Sequence, residues 1–121
     1  MPPLTDDTLW AILNDEMDDD AVQRLVWHGL GYRETSDGWD ASAVEPVWAD
    51  RYPDPPHFIE SRPATVQLTR SIPPADKQLL KEELGFKGYT VDQLVPRLTR
   101  RATMVSWLLS YRKQGAVGEQ G

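Results

Sequence analysis

The segment from Tyr89 to Lys113, YTVDQLVPRLTRRATMVSWLLSYRK, places the chain's densest apolar periodicity beside its densest positive charge. Pro96 suits the first turn of a helix, where a missing N–H has no bond to lose. Nothing between Arg97 and Lys113 demands a break, and Val105, Leu108 and Leu109 supply an apolar side. The expectation is one helix from Pro96 to about Lys113. A second arrangement uses the same residues. Thr90 would cap a short helix, with Gln93 as the return half of a capping box. The chain would then turn near Thr99–Arg101, and Ala102–Lys113 would be the recognition helix of a helix-turn-helix. That turn lacks the usual glycine and Pro96 interrupts its first helix, so the unbroken helix is preferred.

A chain of 121 residues is long enough to bury one core without disulfides or metal, and its five tryptophans supply much of the apolar area. With no cysteine, thiol catalysis, disulfides and cysteine-ligated metal are excluded. No run of 18 apolar residues and no signal-peptide pattern occurs, which leads to the expectation of a cytoplasmic protein without a membrane span. The net charge of −6 is unevenly spread: residues 1–60 carry 14 acidic and 3 basic side chains, residues 61–121 carry 5 and 10. Either the halves neutralise each other in the fold, or the molecule is electrically polar and associates with a charged partner in an oriented way.

Residues 1–4 form a loose lead-in. Thr5 or Asp6 then caps a helix to about Glu16, with Leu9, Trp10, Ile12, Leu13 and Met17 on one face. The acidic run Asp15–Asp20 lacks the alternation and the glycine of a calcium loop, and Asp18–Asp20 are read as capping a second helix, Ala21–Leu30, which Gly31 ends. Asp37-Gly38 between Tyr32 and Trp39 predicts a β-hairpin with a type I′ turn. A proline-rich stretch follows, in which Trp48, Tyr52 and Phe58 serve as buried anchors or as an exposed aromatic partner surface. Val66, Leu68 and Ile72 alternate with polar residues, which favours a strand over 64–72, although Pro63 offers a helix start. Pro74 opens a helix over Ala75–Leu84 that Gly85 closes, and 114–121 is expected to be a flexible tail. The fold class is mainly α with a small β-hairpin or minimal sheet (α+β), a compact single domain of about five helices over 5–113.

No catalytic constellation, cofactor motif or metal-ligand pattern emerges. His28 and His57 stand in unrelated settings, and Ser110 with Lys113 makes an S-x-x-K spacing without its partner motifs. The basic cluster carries the sharper expectation. Arg97, Arg100, Arg101, Arg112 and Lys113, with Trp107, are the candidate surface for an acidic or amphipathic protein partner. The same arginines on phosphates, with Thr103 or Ser106 at base edges, would make a nucleic-acid regulator, although the acidic whole is a poor footprint for one. They would alternatively pair with the acidic first half inside the monomer. A small enzyme ranks third, and a homodimer through the Trp107–Leu108 region is a further option.

The phrases LTDDTLWAILNDE, LVWHGLGYR, WDASAV, SRPATVQLTRSIPP, KQLLKEELGFKGY and LVPRLTRRATMVSWLLSY resemble an uncharacterised family of small cyanobacterial proteins, a domain of unknown function with relatives in photosynthetic eukaryotes. The resemblance spans nearly the whole chain and brings no catalytic residues with it. It implies the cytoplasm of an oxygenic phototroph and a role in assembly or regulation of the photosynthetic or carbon-fixing apparatus.

Overall fold

The computed structural model describes residues 4–120, with side-chain surroundings through Gly115. Its axis is the helix that Pro96 opens. The helices α1 (Asp6–Leu13), α2 (Asp19–Leu30), α4 (Arg62–Ser71) and α5 (Leu79–Leu84) all pack against α6 (Pro96–Gln120). A short α3 (Pro46–Ala49) and two 3-10 turns, Pro74–Asp76 and Val91–Gln93, complete the helical part. α6 runs without interruption through Thr99–Arg101, so no helix-turn-helix is formed. Met104, Val105, Leu108 and Leu109 are buried at the 3–4 residue spacing that puts one stripe of a helix inward. Leu108 therefore belongs to the core and is withdrawn from any dimer surface.

Local chemistry sets the helix ends. The Thr5 hydroxyl accepts from the Thr8 N–H and the Asp18 carboxylate from the Ala21 N–H, each satisfying a donor that a helix start leaves open. α2 ends at Gly31 in the left-handed region, φ 113°. A Cβ there would lie 2.6 Å from the backbone oxygen of Ala43, so both the conformation and the space call for glycine.

The hairpin forms as β1 (Arg33–Thr35) and β2 (Gly38–Asp40), antiparallel, with Thr35 opposite Gly38. Its two loop residues are thus Ser36 and Asp37 rather than Asp37 and Gly38. Neither has positive φ, so the turn is not type I′, and Gly38, φ 138°, takes the left-handed position beside it.

Of residues 64–72, where alternation favours a strand, all but Ile72 belong to α4, and Ile72 is its extended C-cap. Ala64 and Leu68, four residues apart, are buried in the core, while Ser61 caps the helix and Pro63 lies in its first turn. The helix expected over Ala75–Leu84 is divided into the 3-10 turn at Pro74–Asp76 and α5, and the break turns the Asp76 carboxylate onto α6. The backbone of the expected tail is helical to Gln120, and residues 1–3 of the lead-in and Gly121 lie outside the described residues.

The proline-rich connection is fastened to the core by polar bonds of aromatic and amide side chains. Trp27 Nε1 donates to the Pro56 carbonyl at 2.6 Å, and Tyr32 Oη donates to the Tyr52 carbonyl at 2.6 Å. Burial of Tyr32 pushes its hydroxyl pKa up to about 12, so it stays a donor. The buried Gln23 Oε1 accepts from the Ile59 N–H, and Thr65 Oγ1 donates to the Phe58 carbonyl. Phe58 and Trp48 sit in the core as a result, and Tyr52 is half-buried against Trp48. These three residues are packing anchors, not an exposed aromatic surface.

Candidate functional site

The cations of α6 are largely committed within the fold. Arg97 makes a two-pronged contact with Asp15 at 2.6 and 2.9 Å and reaches Asp19 at 3.0 Å. The Arg97 hydrogen bond holds the Asp15 carboxyl below its usual range. Arg101 is fully buried: it donates to the Ile12 and Met17 carbonyls and to Asp19 at 2.8 Å. Arg112 bridges the Leu4 carbonyl, Asp6 and Glu83, all at 2.9 Å. Arg100, half-buried, donates to the Ile59 carbonyl at 2.7 Å. Trp107 is half-buried and stacked on Tyr111, and it covers Gly29 so closely that a Cβ there would lie 2.7 Å from its ring. The acidic first half is thus the partner of several basic residues read from the last helix, and Arg101 has no surface to offer another molecule. The acidic run Asp15–Asp20 is used in the same bonds, with Asp20 pairing to Arg24 at 2.8 Å.

Ser110 and Lys113 do meet, but through Asp76. The buried Ser110 hydroxyl donates to Asp76 Oδ2 at 2.7 Å, and Lys113 Nζ donates to Oδ1 at 2.6 Å. Bonding to Asp76 raises the Lys113 pKa and keeps the amine protonated, so it cannot take the serine proton. Lys113 and Ser110 in turn hold the Asp76 carboxyl below its usual range. The trio is a clamp between the Pro74–Asp76 turn and α6.

Four arginines without an acidic partner gather around α4. A cleft of about 600 Å³ lies between α3 and α4, with Val47, Pro63 and Val66 among its apolar lining and Arg51, Arg62 and Arg70 around it. On the adjoining flank of α4 a cleft of about 380 Å³ shares Arg62 and Val66 and extends to Leu94, Pro96 and Arg100. Although the chain has 19 acidic residues, no carboxylate lines either cleft. Among the described residues, none of these four arginines forms an ion pair, whereas Arg24, Arg97, Arg101 and Arg112 each do. Arg51 donates to Gln67 and lies over the Tyr52 ring, which fixes its guanidinium at the cleft wall. Val47 is 60% exposed and Leu94 58%, so apolar surface lies open beside the charge. Arg62, Val66 and Arg70 stand four residues apart along α4. That spacing is a legible signal once 62–71 is read as helix, but Arg51 joins them only through the fold.

Residues 3–113 match a family described as a domain of unknown function (DUF1823). The chain belongs to that family. A solution NMR structure of a protein similar to this DUF1823 chain is 57% identical, covering 93% of this chain and 95% of that one with a TM-score of 0.80. No curated protein matches the DUF1823 chain described here. Among its described residues, no helix is long and apolar enough to cross a membrane.

Proposed function

We propose that this DUF1823 protein is a non-enzymatic adaptor, assembly or regulatory factor that docks an acidic protein partner on the outer side of α4. The observation that carries the reading is the pair of carboxylate-free clefts flanking α4, lined by four arginines in a protein of net charge −6. Like charge unneutralised by the fold, beside exposed aliphatic surface, suits a partner bearing carboxylates and apolar side chains together. The docking surface accordingly keeps Arg100 of the α6 cations and moves from the others to Arg51, Arg62, Arg70 and Val66. The resemblance to a cyanobacterial family extends the proposal to a partner in the photosynthetic or carbon-fixing apparatus.

The test is affinity capture from a cyanobacterial lysate with wild type beside Arg62→Glu/Arg70→Glu, each with and without nuclease. Both arginines are exposed, so their reversal leaves the core intact. A protein recovered with wild type, resistant to nuclease and lost with the variant, supports the proposal. Recovery unchanged by charge reversal, or abolished by nuclease, rejects it.

A further inference from the structure

The geometry points to an amphipathic helix as the form of the partner segment, with carboxylates seven or eight residues apart along one flank of an apolar row, seated in the α3–α4 cleft. This rests on the reading of α4 as the docking surface and adds the shape and spacing of what docks there.

Three features of the cleft select a helix. Its walls are helices, whose backbone groups are bonded within the element, so an extended segment would find no sheet edge to join. The amide that spans the two walls is already occupied: Gln67 Nε2 donates to the Val47 carbonyl at 3.0 Å and its Oε1 accepts from Arg51. A polyproline segment would need exposed aromatic faces, yet Trp48 shows only 4% of its surface. What the cleft does offer is aliphatic surface from Val47, Pro63 and Val66 with arginines around it. That pattern complements a helix with one apolar row and flanking acids.

The spacing follows from α4 itself. Arg62 and Arg70 are eight residues apart, which at the helical rise is about 12 Å along the axis, with Val66 midway. A helix lying alongside α4 meets both guanidinium groups if its carboxylates are seven or eight residues apart, about 10–12 Å. Its apolar residues between them then face Val66 and Val47, and Arg51 on the opposite wall receives a carboxylate from the second flank. Single-stranded nucleic acid carries the charge but needs stacking faces, which this aliphatic lining lacks.

The test uses the full chain, labelled with ¹⁵N, and four probes. The first is a designed peptide of about 14 residues, some 21 Å as a helix, with a leucine row flanked by glutamates at seven-residue spacing. The second has the same composition scrambled, the third is the first with a central proline, and the fourth is a single-stranded oligonucleotide of similar length. The expected result is that the first peptide moves the amide signals of α3 and α4. It should bind about tenfold more tightly than the scrambled and proline peptides, and that preference should disappear in Arg62→Glu/Arg70→Glu and weaken in Arg62→Gln/Arg70→Gln. If the scrambled or proline peptide binds α4 as well as the first, and charge reversal abolishes all three, the helix inference fails while the docking surface stands. If no peptide moves the α4 signals at about millimolar concentration, or the shifts survive charge reversal, both fail. Preference for the oligonucleotide over every peptide likewise overturns both.

Discussion

Arg101 shows how much of the positive charge in this chain is structural. Its guanidinium fork reaches two backbone carbonyls and Asp19 from a fully buried position, and it has no isosteric substitute. Arg101→Ala should lower unfolding stability by about 3–5 kcal/mol, because it takes the donor from the Ile12 and Met17 carbonyls and empties a buried volume, although Asp19 keeps Arg97. Arg101→Lys should recover only part of this, and urea titration of both variants measures it. A loss below about 1 kcal/mol for the alanine variant would mean that the buried network is dispensable. Asp76 gives a pH signature. Its folded pKa is depressed below the usual carboxylate range by Lys113 and Ser110, so its contribution is whole above that range. It is lost as pH falls through that range to the lower folded value. Asp15, depressed by Arg97, acts in the same direction. Unfolding midpoints measured from about pH 5 to about pH 2 should fall, and Asp76→Asn should flatten that slope while lowering stability at neutral pH. An unchanged slope in the variant would remove Asp76 from the acid response. None of these partnerships was legible in the sequence: Arg101 and Asp19 are 82 positions apart, and a cluster of basic letters does not say whether its charge is neutralised.

At the scale of elements, the caps and the long helix could be read directly. Thr5, Asp18, Gly31 and Gly85 delimit helices by chemistry confined to a few neighbouring residues, and Pro96 opens α6 for the same reason. In α4, Val66, Leu68 and Ile72 satisfy a period of two, while Ala64 and Leu68, its buried apolar residues, are spaced by four. Alternation in so short a segment cannot decide between them, and burial decides for the helix. As a helix the segment brings Arg62, Val66 and Arg70 close together on one side, so a strand over 64–72 conceals the surface proposed here. The close approaches around α2 yield an ordering. At Gly31 a methyl group meets backbone and a left-handed φ, whereas at Gly29 it meets the Trp107 ring and gains helix propensity. Gly31→Ala should therefore cost more than Gly29→Ala, by roughly 1–3 kcal/mol, in thermal or urea unfolding. The reverse order would show that Trp107 is the more rigid obstacle.

Over the whole molecule, the imbalance between an acidic first half and a basic second half is partly cancelled by folding. Asp6, Asp15 and Asp19 meet Arg97, Arg101 and Arg112 across the α1–α6 and α2–α6 contacts. Among the described residues, the cations that this pairing leaves without a carboxylate include a group of arginines around α4, assembled from residues 51, 62, 70 and 100, which no local window of sequence contains. Association through exposed charges of this kind should weaken as salt rises, since the screening length is about 10 Å at 0.1 M. Salt-independent affinity would assign the binding to apolar contact alone. The most direct measurement of the α4 surface is a charge exchange by titration calorimetry. Wild type and Arg62→Glu/Arg70→Glu are each titrated with the glutamate peptide and with its lysine counterpart. Recognition by the α4 arginines predicts that wild type prefers the acidic peptide, that the variant prefers the basic one, and that the mismatched pairs are weakened. Equal affinities across all four pairs would contradict it.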